Sequence, residues 1–240
     1  YLNNRYILIN DCLNGIIENP DADKVHRLRL EIKKLNALSQ LVYCSVNKNN
    51  AAKVSSYLKS FYKHLGLVRA MYQSDLLAKE YQLKIRTLSK KKDKLEMRFL
   101  KNAENFKVNI KKSKQVLKKS ISKASYSEFQ DFVIQIYGEI NIIASSEDLK
   151  PVEIHALRKK MKYFLFLSKI LEKFPEDWKI LNFPTERIHV LQEKIGLWHD
   201  KHYFFKEYRT QLTGDPAFEK LKISASKDLE AIKQSLKQGL

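Results

Sequence analysis

Cysteine, glycine and proline are scarce in this chain: two, six and five among 240 residues. Two thiols, Cys12 and Cys44, without a CxxC or other metal-ligand spacing, argue against a disulfide-built secreted domain. They suit a reducing compartment, so a cytoplasmic protein is expected. So few glycines and prolines exclude a sandwich or barrel full of turns. No apolar run approaches the roughly 20 residues of a membrane span, and the N-terminal residues lack a signal-peptide pattern. No membrane insertion is expected. Catalytic signatures are missing too: no glycine-rich phosphate loop, no Cys–His nucleophile pairing, no recognisable pair of carboxylates. Acids are the last shortage, 27 against 45 Lys and Arg, for a formal charge of +18. A protein this basic repels itself, and its natural partner is a polyanion: nucleic acid, an anionic membrane surface or a phosphate polymer. A merely Lys-rich proteome is the plain alternative.

What the chain does contain is amphipathic helix. Residues Tyr1 to Glu18 carry an apolar stripe of Tyr6, Ile9, Leu13 and Ile16, the three/four spacing of a helix packed by one face. Asn19-Pro20-Asp21 stops it, and Asp21 or Asp23 is placed to cap a second helix reaching about Ser45. Asn47 to Asn50 reads as a short connection. A third helix from Ala51 turns Val54, Leu58, Phe61, Leu65, Val68 and Tyr72 inward. Gly66 lies within it at a cost of about 1 kcal/mol relative to Ala, and close approach to a neighbouring helix is the return. A long fourth helix is predicted from near Lys79 to near Ser122. Between Lys79 and Lys119 it holds 15 Lys and Arg against 4 acids, best read as a solvated basic back.

The second half begins near Ser125, with a fifth helix ending around Ser145-Ser146. Pro151 starts a sixth, closed by Phe174-Pro175. A seventh runs from Thr185 to about Thr213. Gly214-Asp215-Pro216 separates it from an eighth, Ala217 to Lys237. Eight helices in two sets of four predict an all-α fold of two antiparallel four-helix bundles, residues 1–124 and 125–240.

Two of these helices share a design. In Val25–Val42, the stretch VHRLRLEIKKLNALSQLV, His26, Arg29 and Lys33 fall in one narrow stripe at about 100° per residue. Val25, Leu28, Ile32, Leu35 and Val42 form the face to be buried. In Ile154–Leu171, IHALRKKMKYFLFLSKIL, His155, Arg158 and Lys162 repeat the stripe at an offset of 129 residues. Shifted by one more, Leu65-Gly66-Leu67 matches Ile195-Gly196-Leu197, and Arg69 stands opposite His199. A period this long is an internal duplication, not a solenoid. Two similar bundles about a pseudo-twofold axis would turn their basic stripes towards each other.

The stretches VHRLRLEIKK, HLGLVRA, EIHALRKKMKYFLFLSKIL and LQEKIGLWHDK resemble the CHAD domain, the conserved histidine α-helical domain, over nearly the whole chain. That resemblance implies two four-helix bundles around a basic central groove that binds inorganic polyphosphate. It implies a binding role rather than catalysis, no cofactor, and association with polyphosphate granules. By motif position it assigns His26, Arg29, Lys33 and Lys34 in the first half, with Arg69 from the helix of Gly66. In the second half it assigns His155, Arg158, Lys159 and Lys162. The pattern departs at Asn36 and Leu165, where members often carry a further basic residue, and at Ala70, where an acid often stands; Asp200 keeps that acid in the second half.

Arginines suit such a ligand through forked hydrogen bonds to phosphate oxygens, and lysines act as mobile point charges. A polyanion also favours protonated His26 and His155; structural histidines are the competing reading. His199 and His202, one turn apart with Asp200 between them, supply at most two metal ligands on one face, so no metal is expected. His64 and His189 read as ordinary helix residues. The alternative function is a helical nucleic-acid-binding protein using the same basic surface. It would want exposed aromatics for stacking, whereas Phe61, Phe99, Phe106 and Phe129 sit at core spacing.

Overall fold

The structure, a computed structural model, describes residues 1–45, 48–121, 126–146, 148–171 and 183–239. The expected breaks at Ser125 and Phe174-Pro175 lie outside the described residues, as does the side chain of Cys44. Among the described residues the fold is all helix without strands: α1 Leu2–Glu18, α2 Ala22–Ser45, α3 Lys48–Glu80, α4 Leu88–Lys101, α5 Ala103–Ile121, α6 Tyr126–Ala144, α7 Pro151–Leu171, α8 Thr185–Leu212 and α9 Pro216–Lys237. None of them is long and apolar enough to cross a membrane.

Several boundaries arise from local chemistry. Asp21 caps α2, its Oδ1 accepting from the Lys24 amide at 2.7 Å, which satisfies a donor the helix leaves unpaired. Glu153 in the first turn of α7 reaches back to the Lys150 amide at 2.7 Å, the reciprocal half of a capping box. Asp215 accepts from the Ala217 and Phe218 amides behind a left-handed Gly214, and Pro216 opens α9.

Two expectations need correction. Asn47 of the foreseen connection lies outside the described residues, and Asn49 and Asn50 already belong to α3, which begins at Lys48; the Asn50 side-chain amide donates to Ser120 Oγ of α5 at 3.0 Å. The single helix from Lys79 to Ser122 is two helices. First, α3 runs on to Glu80 and ends at Gln82, whose φ of 55° is left-handed. The Leu83 and Gln82 amides then close on Ala78 and Lys79 carbonyls at 2.7 and 3.2 Å, a Schellman ending sealed by burial of Leu83. Glutamine is an unusual residue there, so nothing in the sequence marked the stop. Second, Asn102 separates α4 from α5: its amide NH and side chain bond back to Phe99 and Arg98 carbonyls.

The chain forms two compact units, Tyr1–Gln73 with Arg86–Phe132, and Ser74–Ile85 with Val133–Leu240. In the first, the predicted stripes of α1 and α2, and that of α3 from Val54 to Val68, are buried together with Phe99 and Phe106; Tyr72, also expected inward, is half-buried, its Oη donating to Glu96 at 2.6 Å. Phe61 stacks on Phe106 with ring centres 4.5 Å apart, and the edge of His64 meets both Phe99 and Phe106. Tyr6 Oη and Ser113 Oγ lie 3.0 Å apart. In the second unit, Ile154, Leu157, Met161 and Phe164 of α7 are buried, as are Ile188, Ile195, Phe204 and Tyr208 of α8 and Phe218, Leu221 and Ile232 of α9. Each fully buried side chain of this size is worth roughly 1.5–3 kcal/mol. These rows hold the basic stripes beside, not within, the packed faces.

Candidate functional site

The first unit seats Arg29 against α3. Its guanidinium donates to the Tyr62 carbonyl at 3.1 Å and to Tyr62 Oη at 3.2 Å, and lies 4.4 Å from the centre of the Tyr62 ring, within cation–π range. Gly66, one turn on, leaves the room: a Cβ there would stand 2.7 Å from Arg29 Nη1. The return on this mid-helix glycine is therefore a seat for an arginine head.

The second unit repeats the arrangement with different residues. A Cβ on Gly196 would stand 2.7 Å from Arg158 Nη2, and 3.3 Å from both Cζ and Nε. The guanidinium of α7 thus lies close over the backbone of α8. Gln192 occupies the place of Tyr62 under the offset of 130 and is buried. The offset read from the chain thus corresponds to a shared three-dimensional contact: one arginine, one glycine, in each unit.

The remaining predicted residues lie around these two seats. His26 is exposed and Lys33 and Arg69 are half-buried on the first unit. Lys34 is tied down: its Nζ donates to Glu31 Oε1 at 2.6 Å, while Arg5 donates to the other oxygen at 2.8 Å. Glu31 is buried, so part of the Lys34 charge is spent within the fold. On the second unit Lys159 is exposed, and His155 and Lys162 are half-buried. The neighbouring Lys160 is paired with Glu139 of α6, which holds that carboxyl below its usual range.

His155 has a partner that spacing did not reveal. Its ring stacks on His199 of α8 with centres 4.4 Å apart and planes 19° apart. His199 Nδ1 is 3.4 Å from Asp200 Oδ1. The only sequence signal was the offset that set His199 opposite Arg69. His202 instead stacks on Trp198; burial, then His199 and Lys206, lower its pKa. Among the described residues no three His, Cys, Asp or Glu side chains converge to hold a metal. His64 is a core residue, its ring nitrogen 3.2 Å from the Leu95 carbonyl, with its pKa lowered first by burial.

Chemically, each unit thus presents a fixed guanidinium beside an imidazole and lysines, a set of donors for anionic oxygens. Compared with protein-family models, curated proteins and solved structures, the chain matches none.

Proposed function

We propose that this chain is a CHAD-like protein that binds inorganic polyphosphate through its two basic stripes and acts as a docking or granule-targeting module without catalysis. In this reading the halves are duplicated four-helix bundles, and His26, Arg29, Lys33, Lys34, Arg69, His155, Arg158, Lys159 and Lys162 line one basic groove. The observation that carries it is the repeated seating of an arginine on a mid-helix glycine, Arg29 on Gly66 and Arg158 on Gly196. A glycine inside a helix costs about 1 kcal/mol, and the same cost recurs where the same guanidinium is positioned. Fixing the fork in advance lowers the entropy lost when it meets phosphate oxygens. Lysines beside it tolerate an irregular, sliding polymer.

Nucleic acid is the competing ligand. Against it, Phe61, Phe99, Phe106 and Phe129 are buried and unavailable to stack on bases. Titration with polyphosphates of defined length, at physiological salt, tests the proposal. Affinity should rise with length until one chain spans both stripes, then level off. Displacement of long polyphosphate by single-stranded nucleic acid at equal phosphate concentration would reverse the preference. Metal-dependent shortening of the polymer, lost on Asp200→Asn, would make the protein an enzyme instead.

A further inference from the structure

The two stripes differ in one respect that bears on pH. Where the first half has Arg69, with a permanent charge, the second has His199, stacked on His155. We propose that His155 and His199 form a single proton-linked phosphate-binding unit, which adds to the second half a pH gate that the first, with Arg69 in place of His199, lacks; this rests on the polyphosphate reading above.

Two imidazolium rings with centres 4.4 Å apart would repel each other unless an anion lay beside them. Other charges bear on it. From α7, Arg158 lies over Gly196, three residues before His199, and Lys159 and Lys162 share that helix. On α8, Asp200 is beside His199, and His202 and Lys206 come after it. On α9, Asp228 is held by Lys201 at 2.8 Å; the end of α3 adds Glu80 and Tyr81, which act on Lys201. On α6, Glu139 is paired with Lys160. Asp200 is thus the acid seen at the pair, against an arginine and several lysines. A phosphate oxygen arriving there removes the repulsion, and both rings become charged donors. The His199 side chain retains 29% of its exposure, enough for an oxygen to reach it.

Internal phosphates of a long chain are strong acids and stay ionised between pH 6 and 8, so protons taken up on binding report the protein. Calorimetry with long-chain polyphosphate in two buffers of different ionisation enthalpy counts them. Near pH 7, His199→Gln should take up fewer protons than the parent, by up to one. Each coupled proton changes affinity by up to about tenfold per pH unit. His199→Gln should therefore weaken binding severalfold at pH 6 and leave it unchanged at pH 8. His199→Arg, which copies the first half, should strengthen binding at pH 8 and flatten the profile. His189→Arg, an exposed site on the same helix, should leave the slope unchanged. Equal weakening of His199→Gln at both pH values, or unchanged proton uptake in both His199 variants, overturns the inference. No binding by the parent at pH 6 overturns the polyphosphate reading itself.

Discussion

Alanine at Gly66 or Gly196 separates the use of these glycines in binding from their cost in folding. The added Cβ would lie 2.7 Å from a guanidinium nitrogen in each case, when an ordinary carbon contact is about 3.5 Å or more. The blocking atoms belong to the far end of a flexible side chain, so the arginine moves and the helix stays. Gly66→Ala then gains about 1 kcal/mol of helix propensity. It loses the two Arg29–Tyr62 hydrogen bonds, each worth about 1.5 kcal/mol for a charged donor. The net change should be a loss of about 2 kcal/mol, or several degrees of melting temperature. Affinity is a different matter. Losing one forked arginine–phosphate contact should weaken long-chain polyphosphate binding about tenfold, some 1.4 kcal/mol, and both changes together about a hundredfold. Gly196→Ala should act more strongly, because three guanidinium atoms would lie within 3.3 Å of its Cβ, against one at Gly66. Gly138→Ala is the control: nothing lies within 4 Å of its Cβ, so it should stabilise without touching affinity. Thermal melts and titrations of the four proteins decide the matter. If Gly66→Ala and Gly196→Ala bind as the parent does, the seated arginines do not bind the polymer. If both melt far below the parent, the seats are stability devices.

Three further outcomes are expected. The double change His26→Ala with His155→Ala should weaken polyphosphate binding at pH 6 more than at pH 8; parent-like binding at equal salt would remove the histidines from the site. Glu31→Gln should lower stability by about 2 kcal/mol, seen as a fall in melting temperature, since Arg5 and Lys34 share that buried carboxylate. Burial lowers the pKa of His64 from 6.5, so the unfolded chain binds that proton more readily. The stability this contributes is full above about pH 6.5 and is lost as pH falls below it; His64→Gln should melt with a shallower acid dependence, and an unchanged dependence would place the effect elsewhere.

The helix class and most of the core were legible in the chain because they depend on short-range regularity. Tyr6, Ile9, Leu13 and Ile16 recur every three or four residues, and each is buried. Asp21 announces its helix because an N-cap needs only its own carboxylate and an amide two or three residues away. Even the recurrence of the basic stripe could be read, since it is a property of residue order. Gln82 and Asn102 escaped because their stops rest on backbone closure and, at Gln82, on burial of the next residue, Leu83. The candidate site divided the same way. Residue order showed which helices carry a histidine, an arginine and lysines on one stripe. Packing alone decided that Arg29 and Arg158 rest on glycines, that Glu31 engages Lys34, and that His155 stacks on His199. The physical reason is reach: periodicity sets which way a side chain faces, whereas its partner comes from another helix, across a loop the spacing does not see.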